Sequence, residues 1–113
     1  MLLTILKSFP FAIRGIGLVV KGERNAKVHL LATCVILIAG IFFEISISDW
    51  YWLAMAVSIV WITESINTAI EKLVDLVSPE YHIIAGNIKD IAAGAVLIAS
   101  IFALVIGILI FIP

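Results

Sequence analysis

Charge is scarce in this chain. Of its 113 residues only 13% are Asp, Glu, Lys or Arg, while 64% are hydrophobic and the mean hydropathy is +1.26. Ordinary soluble domains carry about 25% charged and about 45–50% apolar residues. A single soluble core in so short a chain could not hide the excess, so the composition specifies an integral membrane protein, read here as one all-α domain over 1–113. The formal net charge of −1 argues against general nucleic-acid binding. A single cysteine, Cys34, excludes a disulfide within the chain, and its apolar setting predicts a buried, inert thiol. No G-x-x-x-x-G-K-[ST] loop, kinase glycine loop or zinc spacing is present. The start, "MLLTILKSFPFAIRG", has no charged region before its apolar run and no small-residue cleavage site after it, so it is expected to stay attached.

What is present is apolar sequence in three long stretches. Ile91 to Ile112 carries no charge and is about long enough to cross roughly 30 Å of hydrocarbon as a helix. Leu30 to Phe43 and Trp50 to Ile62 have shorter uncharged cores, but each continues helically into an amphipathic portion. The cluster Trp50, Tyr51 and Trp52 between them suits an interfacial aromatic belt. Three spans are therefore expected, at about 28–46, 49–76 and 89–112. Lys7, Arg14, Lys21, Arg24 and Lys27 precede the first, and Lys72 and Lys89 flank the connection between the second and third. The loop between the first two carries only Glu44 and Asp49. The positive-inside rule then puts the amino terminus and the 76–89 connection in the cytoplasm and the carboxyl end outside.

Lys7, Arg14 and Lys21 recur every seven residues and share one helical face. With apolar residues around them, they predict an amphipathic surface helix over about 2–22, its cations toward anionic lipid. Pro10, Gly15 and Gly17 argue against a continuous straight helix there. In the third span Ala95, Ala99, Ala103 and Gly107 repeat at every fourth position, a spacing that lets helices approach closely in lipid. Three short spans make a thin bundle, and self-association follows naturally.

The informative stretch is "ESINTAIEKLVD". At 100° per residue, with Glu64 at zero, Asn67 falls near −60°, Glu71 near −20° and Asp75 near +20°. These polar side chains form one stripe about 16 Å long. Ionisable groups at membrane depth cost several kcal/mol unless paired, solvated or bound to a cation, and they mark function. No cation of the same helix neutralises them, since Lys72 lies off the stripe. A merely solvated helix end would instead spread its charges around the circumference. Carboxylates are ligands for hard cations, and Mg²⁺ commonly takes one or two of them with phosphate oxygens filling other positions. Glu23 in "KGERNAKVH" and Glu80, Tyr81, His82, Lys89 and Asp90 in "SPEYHIIAGNIKD" reach the same cytoplasmic side. Carboxylates for a metal, a lysine for phosphate and a deeper glutamate at the lipid boundary are the parts phosphoryl transfer needs. His29 and His82 are far apart in sequence, and a lone histidine here reads as an interfacial hydrogen-bonding residue.

"ESINTAIEKLVD", then "SPEYH", then "KDIAAGAVL", in that order and spacing, resembles the small prokaryotic diacylglycerol kinase family, which includes undecaprenol kinases. "GERN" before the first span and the "GILIFIP" ending look closer to the undecaprenol branch. The resemblance implies a homotrimer in the inner membrane, with three transmembrane helices and a surface helix per subunit. It implies ATP as phosphoryl donor, Mg²⁺ as cofactor, a lipid hydroxyl as acceptor, and active sites shared between subunits at the cytoplasmic face. By the same resemblance Glu64 matches the general base, Glu23 and Glu71 the metal ligands, and Glu80, Tyr81, His82, Lys89 and Asp90 nucleotide contacts. Asn67 and Asp75 match supporting positions, and Arg14 and Lys27 are basic residues of the same side. Where the diacylglycerol branch has an arginine and a tyrosine in the surface helix, this chain has Thr4 and Phe11, and Arg14 is the available substitute. Two other readings remain open to test. A proton or cation conductor would also use intramembrane carboxylates, though "WYWLAMAVSIVWIT" offers little beyond Ser58 to continue a path. A scaffold built on the small residues would leave the carboxylates unexplained.

Overall fold

The computed structural model describes residues 1–22 and 24–113, with Arg24 described in its backbone alone. It comprises four helices: α1 (Leu2–Gly22), α2 (Arg24–Phe42), α3 (Ile47–Val77) and α4 (Ile83–Phe111). No strand occurs among the described residues. Each of the four is long and apolar enough to cross a membrane by length and composition. The expectation of a break in α1 is corrected: the helix runs through Pro10 without interruption. Proline removes the donor for the Leu6 carbonyl. In an apolar setting, however, unravelling the flanking turns would leave more backbone groups unpaired than that one.

Packing is uneven. α3 and α4 form the principal pair, while α1 and α2 lean on α3 more lightly. Ala92 and Ala99, two turns apart, are the buried positions of α4, whereas Ala103 and Gly107 of the small-residue repeat line an open cleft and Ala95 is exposed. Most large apolar side chains face outward, as a protein solvated by lipid requires. Cys34, expected buried, is among the exposed residues. It lies one residue, or about 100° of turn, from Thr33, whose side chain faces α3.

The turns fix the helix register. α2 ends in a Schellman motif, with Ile45 N–H donating to Gly40 C=O and Glu44 N–H to Ile41 C=O, both at 3.2 Å. Its left-handed residue is Glu44 at φ 50°, where glycine is usual. Gly40 lies under the Trp50 ring so closely that an added Cβ would come within 2.7 Å of it. Ser46 then caps α3, its hydroxyl accepting from the Asp49 N–H at 3.1 Å. α3 ends at Val77, just before "SPEYH", where Pro79 disfavours further helix. His82 caps α4, with Nδ1 accepting the Ile84 N–H at 3.1 Å.

Candidate active site

α3 is one unbroken helix from Ile47 to Val77, so the angular argument made on the sequence applies to it directly. Glu64 is 1% exposed, Asn67 5% and Thr68 2%; Glu71 is half-buried and Asp75 exposed. The stripe thus passes from sequestered to solvated along its length. The Asn67 side-chain amide donates to Glu71 Oε1 at 3.2 Å, which fixes the orientation of both. At the exposed end Lys89 of α4 bonds the Asp75 carboxylate. The cation missing from α3 itself is therefore supplied across the α3–α4 loop.

At the buried end the partner of Glu64 comes from α2. His29 Nε2 lies 3.2 Å from Glu64 Oε2, yet the two are not aligned for a hydrogen bond, and Oε2 has no hydrogen-bond partner. Asn67 Oδ1 and Thr68 Oγ1 are likewise buried and unpartnered. Sequence reasoning set His29 aside and passed over Thr68. A histidine alone on an apolar helix carries no periodic signal, and only the α2–α3 register brings it to Glu64. Thr68, at +40° on the wheel, was within reach of the angular argument.

Glu80, Tyr81 and Asp90 are exposed on the α3–α4 loop and the first turns of α4, and they make no side-chain hydrogen bond to the stripe among the described residues. Glu80 contributes its carbonyl to the Ser78 hydroxyl. The His82 side chain is occupied as a helix cap. Arg14, Lys27, Thr4 and Phe11 are exposed. Glu23 lies outside the described residues. No group of three or more His, Cys, Asp or Glu side chains that could hold a metal converges among the described residues. Ser58, within the apolar part of α3, is exposed and about 120° from Glu64, so it does not extend the polar stripe toward the amino-terminal end of the helix.

Two clefts flank α3. One of about 410 Å³ opens between α2, α3 and α4, with His29 and Thr33 among its lining and Ile36, Val60, Ala103 and Gly107 along its apolar length. The other, about 290 Å³, lies between α3 and α4 and reaches Asn67. Glu64 itself lines neither cleft, but His29 beside it lines the first and Asn67 on its own helix edge lines the second. An edge that grades from a buried to a solvated carboxylate can bring a lipid-borne group and a water-borne group together.

The chain as a whole is similar to known proteins. The family model described as "Prokaryotic diacylglycerol kinase" matches residues 10–111. An undecaprenol kinase of Bacillus subtilis (strain 168) is 41% identical over 107 residues, covering 95% of this chain and 87% of that protein. A diacylglycerol kinase of Synechocystis is 36% identical over 104 residues, covering 91% of this chain and 59% of that protein. The diacylglycerol kinase of Escherichia coli (strain K12) is 29% identical over 101 residues, covering 89% and 83%. With the family matched over nearly its whole length, the chain belongs to the prokaryotic diacylglycerol kinase family.

Proposed function

We propose that this multi-pass membrane lipid kinase transfers the γ-phosphate of ATP to the hydroxyl of a lipid alcohol at the cytoplasmic face of the inner membrane. Glu64 is the general base and Glu71 faces the nucleotide. The observation that carries the reading is the uninterrupted α3, which sets a 1%-exposed Glu64 and a half-buried Glu71 on one edge, about 10 Å apart along the axis. A hydroxyl anchored in the bilayer and a phosphate chain in water meet across such a span.

The residues fit a divalent ion carried on phosphate rather than one caged by protein alone. Asn67 Oδ1 is buried without a partner and Glu71 stands beside it. Mg²⁺ takes one or two carboxylates and completes its shell with phosphate oxygens and water; Glu71, Asn67 and Glu23 are the residues that would hold it. Bound there, the ion supplies charge neutralisation on the phosphates. The chain's own work is positioning. Glu64 receives the proton of the hydroxyl, Lys89, Arg14 and Lys27 offer positive charge on the nucleotide side, and Glu80, Tyr81, His82 and Asp90 border the nucleotide.

Undecaprenol is the favoured acceptor over diacylglycerol, because the undecaprenol kinase relative is the more similar of the two kinds. A homotrimer with sites shared between subunits suits the broad apolar exterior and the open cleft beside α3. The experiment is direct: purified protein in micelles, labelled ATP, Mg²⁺, and undecaprenol or diacylglycerol side by side. Phosphorylated undecaprenol in excess is the expected product. Folded protein that phosphorylates neither alcohol would refute the reading.

A further inference from the structure

We infer that His29 is the positioning partner of Glu64: through Nε2 it holds one carboxylate oxygen, so that the other meets the lipid hydroxyl. This rests on the reading of Glu64 as the base and adds a residue from a second helix. Three observations carry it. His29 Nε2 stands 3.2 Å from Glu64 Oε2, with the two side chains 18% and 2% exposed. No other described side chain pairs with that carboxylate by charge or hydrogen bond.

The imidazole is also braced. Trp61 lies edge-on to it, with centroids 6.4 Å apart and planes at 68°. The Trp61 indole N–H donates to Thr33 Oγ1 at 3.0 Å, and the Thr33 hydroxyl donates to the His29 carbonyl at 2.7 Å. The connection leaves the His29 backbone, crosses to α3 through Thr33 and Trp61, and returns to the His29 ring. Trp61, which packs against the ring, is thereby anchored to the same turn of α2 that carries it.

Finally, the pair is close but not aligned. Catalytic hydrogen bonds are often loose before substrate binds and tighten in the productive complex. In the reaction the lipid oxygen bonds to the γ-phosphorus as the β–γ bridging bond breaks, the electron pair leaving on ADP. The hydroxyl proton passes to Glu64 and from there to water. His29 exchanges no proton; it orients the acceptor.

The test compares variants in micelles with Mg²⁺, labelled ATP and a lipid alcohol that the wild type phosphorylates. His29→Phe keeps the ring packed on Trp61 but removes the donor. It should lower kcat about 10- to 100-fold, the range for a lost hydrogen bond to a charged group, with the KM for ATP unchanged. His29→Gln places an amide donor near the Nε2 position and should recover most of the loss. His29→Asn, too short to reach, should not. In a Glu64→Gln background His29→Phe should cost nothing more, because residues acting as a unit do not add.

Wild-type kcat in His29→Phe, with Glu64→Gln inactive, would overturn the assignment of His29 and leave the kinase reading standing. So would Gln and Asn variants of equal activity, or a double variant whose losses multiply. Should His29→Phe fail to fold, the Gln and Asn pair decides the matter alone. Full activity in Glu64→Gln would instead remove the base, and this proposal with it.

Discussion

Replacing Glu64 by glutamine changes one atom's chemistry in a site that is 1% exposed. Shape and volume are retained, so the cavity penalty that follows truncation in a packed interior does not arise. What is lost is the capacity to take a proton. Positioned general bases contribute typically 10²- to 10⁴-fold, equivalent to about 3–5 kcal/mol of barrier at about 1.4 kcal/mol per tenfold. Glu71 lies seven residues further along α3, about 10 Å of helical rise, and its side chain is held by Asn67 rather than by Glu64. The substitution should therefore lower kcat for lipid phosphorylation by at least 100-fold and leave nucleotide affinity within about twofold of wild type. The assay is initial-rate phosphotransfer in mixed micelles over a series of ATP concentrations, with nucleotide binding measured independently on the same preparation. A variant with wild-type kcat refutes Glu64 as base. One that loses kcat and nucleotide affinity together refutes the division of labour along the helix.

Three further outcomes are expected. Glu44→Gly relieves a left-handed backbone that costs a non-glycine residue about 1 kcal/mol, so the thermal unfolding midpoint in detergent should rise, with turnover unchanged. His82→Ala removes the acceptor of the Ile84 N–H and should lower stability by about 0.5–1 kcal/mol, whereas His82→Asn, able to cap in the same way, should not; comparing the two for ATP KM separates capping from nucleotide contact. Lys89→Met should raise the KM for ATP several-fold, and Asp75→Asn, which frees Lys89 from its carboxylate, should raise it less; equal effects from both would indicate that only the ion pair matters.

The geometry of the candidate site was legible in the sequence to the extent that it lies on one helix. Glu64, Asn67, Glu71 and Asp75 could be placed on an edge by counting, because a helix converts spacing into angle without knowledge of anything else. Relations between helices were not legible in this way. The Lys89–Asp75 pair closes across a turn, and the His29–Glu64 approach depends on the α2–α3 register. That register is set partly by the turn at Glu44, where the usual signal, a glycine, is absent. Cys34 misled for a related reason: in a lipid-solvated chain an apolar run does not say which side is buried, since the outward face is apolar as well. Pro10 misled because its cost is reckoned against water, and the competing cost of exposing backbone to an apolar medium is larger.

The distribution of unpartnered polar atoms adds an argument that no single residue makes. Several hydroxyls and the Trp61 indole elsewhere in these helices are paired within the chain. Thr33 donates to the His29 carbonyl, Thr63 to Ile59, Ser65 to Trp61, and the Trp61 indole to Thr33. The buried side-chain atoms without a partner among the described residues are Glu64 Oε2, Asn67 Oδ1 and Thr68 Oγ1. Each such atom costs roughly 1–3 kcal/mol, and the three fall within five residues of one helix edge. A threonine in a helix can bond back to its own preceding turn, as Thr63 does five residues earlier. Thr68 does not, so its exception is not forced by local geometry. They belong to the buried polar residues of the described chain, which all lie on this stretch of α3. Burying three polar residues beside the carboxylates is costly for a helix that only packs against its neighbours, and it accords with the proposed reading, in which the polar groups of a lipid alcohol and a nucleotide meet this edge.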